Sequence, residues 1–104
     1  MGAEEQFKQQ LRKLWLSALP MHLERIRALE SALNSLDNLS AAQQEEARSA
    51  AHNLAGVLGT FGLQEGTEIA RLFEEVFSSN PVQAPAGLQT QLDELRRLIE
   101  THHL

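Results

Sequence analysis

Apolar residues recur at helical spacing through almost all of the 104-residue chain, and no stretch alternates apolar with polar residues over a strand's length. That pattern confines the fold to amphipathic helices packed as a bundle. Phe7, Leu11, Leu14 and Ala18 form the first stripe, which stops at Pro20. The missing N–H of Pro20 suits the first turn of a second helix, running to Leu36 with Ile26, Leu29, Leu33 and Leu36 on one face. The polar run NSLDNLS breaks the period, and Ser40 with Gln43 reads as a capping box that opens a third helix. Its stripe is Ala47, Ala51, Leu54, Leu58 and Phe61, with Gly62 as the C-terminal stop. Ile69, Ala70, Phe73, Val76 and Phe77 mark a fourth helix from Gln64 to Ser78. SSNPVQAPAG is the clearest loop, after which Leu88, Leu92, Leu95 and Ile99 mark a final helix. The expectation is an all-α fold, an antiparallel four-helix bundle with an additional N-terminal helix.

A chain of this length makes one domain, residues 1–104, and buries roughly two-thirds of its unfolded surface without staples. It has no cysteine, so disulfides and thiolate metal sites are excluded and a reducing cytoplasm is the default location. The start MGAEEQFKQQ is polar and acidic, unlike a secretory signal, and no apolar run approaches the roughly 18 residues that span a bilayer. No membrane is expected as a partner. Lys and Arg number 9 against 14 Asp and Glu, a formal charge of -5, and the basic residues are scattered. Phosphate-backbone binding needs a clustered basic face, so nucleic acid is excluded and a basic or mixed protein surface fits better. The charged run DELRR reads as a solvated helix face.

Within this helical sequence, AHNLAGVLGTFG places glycines at Gly56 and Gly59 inside the third helix, just after His52. Each mid-helix glycine costs about 1 kcal/mol relative to alanine, so bare backbone must serve some purpose there. With 100 degrees of turn per residue and Ala47 set at zero, the stripe residues Ala51, Leu54, Leu58 and Phe61 fall within about 40 degrees of it. His52 lies at about 140 degrees, Gly56 at about 180, Gly59 at about 120, Arg48 at about 100 and Glu45 at about 160. His52 therefore points out of the bundle, and the glycines share its face. A side chain at position 56 would sit over the neighbouring turn and crowd anything attached to His52. Glycine leaves a clearing about one phosphoryl group wide and lets another protein's backbone approach. The other histidines are less eloquent. His22 reads as a surface or helix-end residue, and His102 and His103 fall at the frayed C-terminal end. Their spacing promises no converging ligands, so no metal site and no cofactor are expected. Trp15 lies off its helix's main stripe and reads as a packing residue.

The run His52-Asn53-Leu54-Ala55-Gly56, followed by Phe61-Gly62, resembles the signature of histidine-containing phosphotransfer domains. In that family a helix carries His-x-Leu-Lys-Gly and closes on an apolar-Gly pair nine and ten residues after the histidine. Ala70 and the pair Phe73-Glu74 match the family's small and apolar-acidic positions on the next helix. The family fold, a four-helix bundle with an added N-terminal helix, agrees with the helix count. The departure is Ala55, where the family most often has a lysine taken to offset phosphoryl charge. Arg48, one turn before His52, is the candidate to supply that cation. His-x-Leu-Ala-Gly followed by Leu-Gly-Thr-Phe-Gly also looks like a form of the family found inside larger response-regulator proteins.

The resemblance implies a phosphorelay intermediate: Nε2 of His52 attacks an aspartyl phosphate on a response-regulator receiver domain and returns the group to another receiver. A neutral imidazole is a competent nucleophile near neutral pH, although the sequence does not distinguish its two nitrogens. Arg48, Ala55 and Gly56 are expected around the phosphoryl group, and Glu45, Arg48, Ser49, Ala55, Gly56 and Gly59 in the docking surface. Glu45, two turns from His52, is placed to meet a basic residue on the receiver. The partners are receiver domains, among them that of a hybrid histidine kinase, and nothing demands more than a monomer. No Walker-type glycine loop is present, so autophosphorylation from ATP is not expected. Two rival readings keep the same fold: a phosphorylation-incompetent interaction module, which Ala55 favours, and the phosphoacceptor domain of a chemotaxis-type kinase.

Overall fold

The computed structural model describes residues 2–104 as four α-helices: α1 (Ala3–Asn34), α2 (Ala41–Thr60), α3 (Gln64–Ser78) and α4 (Leu88–Glu100), with a short 3-10 turn at Leu36–Asn38. Helix α1 packs on α2 and α4, α2 on α3, and α3 on α4, which closes the bundle. The core is filled by Phe73, Phe77, Ile26, Leu29, Leu54, Leu58, Leu92, Leu95 and Ile99, all fully buried. Among the described residues no helix is long and apolar enough to cross a membrane.

Local chemistry sets the ends of α2. The Gln43 backbone N–H donates to Ser40 Oγ at 3.1 Å, and the Ser40 N–H donates to Gln43 Oε1 at 3.1 Å, completing the expected capping box. At the other end Gly62 takes φ 82, a left-handed conformation that favours glycine, and the Leu63 N–H reaches the Leu58 carbonyl. The bounds of α3 and the loop before α4 also fall where the pattern placed them.

The expected break at Pro20 is absent, because α1 continues through it for 32 residues. Pro20 is exposed, so the carbonyl one turn before it, deprived of its N–H partner, is open to water. At 1.5 Å per residue such a helix is about 48 Å long, which accounts for the 54 Å long dimension of the molecule. Continuity also fixes phase. A separate first helix could have turned any face inward, but this one inherits the orientation set by Ile26 and Leu29. The buried line on α1 therefore runs through Trp15, His22, Ile26, Leu29 and Ala32, and half of the anticipated stripe is turned away: Phe7 is 63% and Leu14 59% exposed, while Leu11 and Ala18 stay half-buried.

The histidines also depart from expectation. His22 is 1% exposed, and Trp15 links it to Phe61 and His102, with ring centroids 5.0, 5.1 and 5.0 Å from the indole. Neither ring nitrogen of His22 has a hydrogen-bond partner among the described residues, and burial, then the nearby Arg25 charge, push its pKa below the usual histidine value. The C-terminal end is packed and not frayed. His102 Nε2 lies 2.9 Å from the Phe61 carbonyl oxygen, and Arg12 donates from Nε and Nη2 to the Leu104 carbonyl at 3.0 and 2.6 Å. Trp15, read as a packing residue although it lies off the expected stripe, is buried in this knot.

Candidate functional site

Burial of Ala47, Ala51, Leu54 and Leu58 fixes the rotation of α2, and His52 consequently projects outward with its side chain 65% exposed. The neighbouring α3 is rotated by its own core residues Phe73, Val76 and Phe77, which puts Glu74 at the α2–α3 seam with 28% of its side chain exposed. His52 Nδ1 and Glu74 Oε2 lie 2.8 Å apart. An ionised carboxylate can only accept, so this contact assigns the proton of a neutral imidazole to Nδ1. The lone pair is then on Nε2, which has no partner among the described residues, and a rigid helix presents it to solvent.

The sequence named Glu74 only as a match to a pattern and gave it no part in the site. The signal was available: an acidic residue placed beside core-facing Phe73 lands at the edge of the helix, within reach of a neighbour.

The surroundings of His52 divide into residues that share its surface and residues that do not. Gly56 is exposed, and a Cβ built there meets nothing within 4 Å, which leaves the clearing the sequence implied. A Cβ at Gly59 would touch Thr67 Oγ1 at 3.4 Å, an ordinary contact, so Gly59 lies at the α2–α3 seam as well as on the exposed face. Ala55 is only 7% exposed and belongs to the core cluster, so its side chain is withdrawn from the surface assigned to it. Its carbonyl accepts a buried hydrogen bond from Thr67 Oγ1 at 3.2 Å. Ser49 is half-buried and lines a shallow groove between α1 and α2 with Met21, Arg25, Ala28 and Asn53.

Arg48 and Glu45 are occupied with each other. Arg48 donates from Nε to Glu45 Oε2 at 2.8 Å and from Nη2 to Oε1 at 2.6 Å, a bidentate pair on the exposed face. That hydrogen bonding lowers the Glu45 carboxyl and raises the Arg48 guanidinium relative to their usual values, with the charge of Glu74 adding to the latter. Glu45 therefore meets a cation of its own chain on this exposed face. Among the described residues, no three His, Cys, Asp or Glu side chains converge in a way that could hold a metal ion.

The bundle thus displays an imidazole bonded on one nitrogen and open on the other, on an exposed helix face. The chain belongs to the Hpt domain family, which it matches over residues 10–102. It is similar to Protein RcaC of Microchaete diplosiphon, 34% identical over 74 residues that cover 69% of this chain and 11% of RcaC. The match thus spans about a ninth of that relative's length. No solved structure matches the chain. Membership of the family gives the chain a phosphotransfer role in two-component signalling, of the kind played by modules that dock with receiver domains.

Proposed function

We propose that His52 is the phosphoacceptor of a phosphorelay, taking its phosphoryl group from a receiver-domain aspartyl phosphate and passing it to a second receiver. The observation that carries this reading is the Glu74 contact at Nδ1, which leaves Nε2 as the free nucleophile on an exposed helix face. In the forward step the Nε2 lone pair forms the N–P bond as the P–O bond to the aspartate breaks, and the carboxylate leaves with that electron pair. The Nδ1 proton stays where it is, and the positive charge of the N-phosphorylated ring is met by Glu74. Transfer through a loose transition state asks chiefly for in-line positioning and charge stabilisation, so one rigidly held nucleophile is a sufficient contribution from this chain. Residues 1–104 form the phosphotransfer domain, and receivers, including that of a hybrid kinase, dock over Ser49, Gly56 and Gly59 with the Glu45–Arg48 pair at the margin.

Incubation with a phosphorylated receiver should produce an acid-labile, base-stable phosphate on the chain, and His52→Gln should abolish it. A phosphate that survives in His52→Gln refutes the assignment. Ala55, where the family most often has lysine, favours one other reading, in which the same face only binds receivers. Binding of the receiver without any labelling would establish that alternative.

A further inference from the structure

The phosphorylated state proposed above needs a cation near Nε2, and the family's usual source, a lysine at position 55, is replaced by a buried alanine. Arg48 is a poor substitute as it stands, since Glu45 holds its guanidinium bidentately on the side of His52 that leads toward the start of α2.

The register of the α2–α3 seam supplies another. His52 meets Glu74 near one end of the seam, and Gly59 approaches Thr67 near the other. The seven-residue interval on α2 equals the interval on α3, so the two antiparallel helices run past each other without slippage. Three residues after His52 is Ala55, and three residues before Glu74 is Arg71. Arg71 thus stands across the seam from the position where the family carries lysine. It is exposed, and no hydrogen bond or ion pair joins it to any described residue. On α2, Gly56 adds no side chain next to this level of the seam, and a Cβ built there meets nothing within 4 Å.

We infer that Arg71 is the phosphoryl-binding cation of this domain, supplied from α3 in place of the missing lysine on α2; the inference rests on His52 being the phosphoacceptor. A guanidinium presents planar paired N–H donors to phosphoryl oxygens, and its long stem spans the seam from a neighbouring helix. In the loose transition state negative charge is spread over three equatorial oxygens, and a preorganised donor aimed at them lowers the barrier without altering how tightly the receiver docks.

The test is single-turnover transfer from a phosphorylated receiver to the full chain, with receiver concentration varied to separate the maximal rate from the half-saturating concentration. Arg71→Ala should lower the maximal rate by about tenfold or more and leave half-saturation nearly unchanged, while Arg48→Ala, at the docking margin, should act chiefly on half-saturation. Arg71→Ala should also shift the equilibrium distribution of phosphate away from His52. Arg71→Lys should keep most of the rate, because it leaves a cation at the same level of the seam. A wild-type maximal rate in Arg71→Ala, a change confined to half-saturation, or a larger loss of maximal rate in Arg48→Ala would each overturn the inference while the label on His52 stands. Absence of label on wild-type His52 would instead overturn the phosphoacceptor reading, and the role of Arg71 with it.

Discussion

Glu74 reaches His52 Nδ1 from a different helix, at 2.8 Å, so the tautomer of the exposed imidazole on α2 is set by α3. Removing the carboxylate frees the ring to exchange tautomers and to rotate. Glu74→Ala should therefore lower the rate of phosphoryl capture by roughly tenfold, the size of effect expected when a residue that orients an imidazole is lost. The stability of the chain should change by no more than about 0.5 kcal/mol, because the contact is at the surface. Nitrogen NMR of the imidazole provides the direct check: Nδ1–H dominates in the wild type, and a mixture appears in the variant.

Gly56, exposed within α2, and Gly66, buried in the first turn of α3, should respond in opposite directions. A Cβ at Gly56 meets nothing, so Gly56→Ala should stabilise the chain by about 0.5–1 kcal/mol through helix propensity alone. Gly56→Leu should also fold, yet slow phosphoryl capture about tenfold, because a side chain there leans back over the turn that carries His52. At Gly66 a Cβ would come within 3.1 Å of Leu58 Cδ1 and 3.5 Å of Leu95 Cδ1, both in the core. Gly66→Ala should cost about 1–3 kcal/mol, as overpacking does. Urea unfolding of the three variants together with transfer rates decides whether Gly56 is retained for access.

The outward placement of His52 was legible because α2 is a self-contained amphipathic helix whose stripe is read from its own spacing. The ends of α2 and α3 were legible for a similar reason, since Ser40, Gln43 and Gly62 act locally. What the sequence hid were relations between elements. Pro20 has the same chemistry whether it starts a helix or sits on the solvent side of a continuous one, and only the packing of Ile26 and Leu29 decides. The pairings of Glu74 with His52 and of Arg48 with Glu45, and the burial of Ala55, likewise depend on how α2 and α3 are rotated against each other or on rotamers that spacing leaves open.

The continuous phase of α1 makes a measurable distinction between two residues one position apart. Trp15 is buried among aromatic rings, and Trp15→Ala should cost about 3–5 kcal/mol. Leu14→Ala, and likewise Phe7→Ala, should change stability by no more than about 0.5 kcal/mol, because both side chains already lie largely in water. Had a separate first helix packed through Phe7 and Leu14, the order of these costs would be reversed. Chemical denaturation followed by circular dichroism reads all three.

His22 should make the stability of the fold depend on pH. Its imidazole is buried against Trp15 with neither nitrogen bonded, and burial together with the Arg25 charge lowers its pKa below the ordinary 6.5. The unfolded chain takes up this proton near 6.5, and the folded chain does so only at lower pH. Between those two points the unfolded state binds more protons, so stability rises with pH. The contribution from His22 is complete above 6.5 and is lost progressively as the pH falls toward and through the folded value. One proton limits the slope to about 1.4 kcal/mol per pH unit. His22→Leu removes both the titration and the two unpaired buried nitrogens. It should therefore match or exceed the wild-type stability at neutral pH and flatten this part of the acid-side decline. Urea unfolding at several pH values, followed by the fluorescence of the chain's single tryptophan, Trp15, reports on the same knot. Parallel declines in wild type and His22→Leu would show that His22 is not the titrating group.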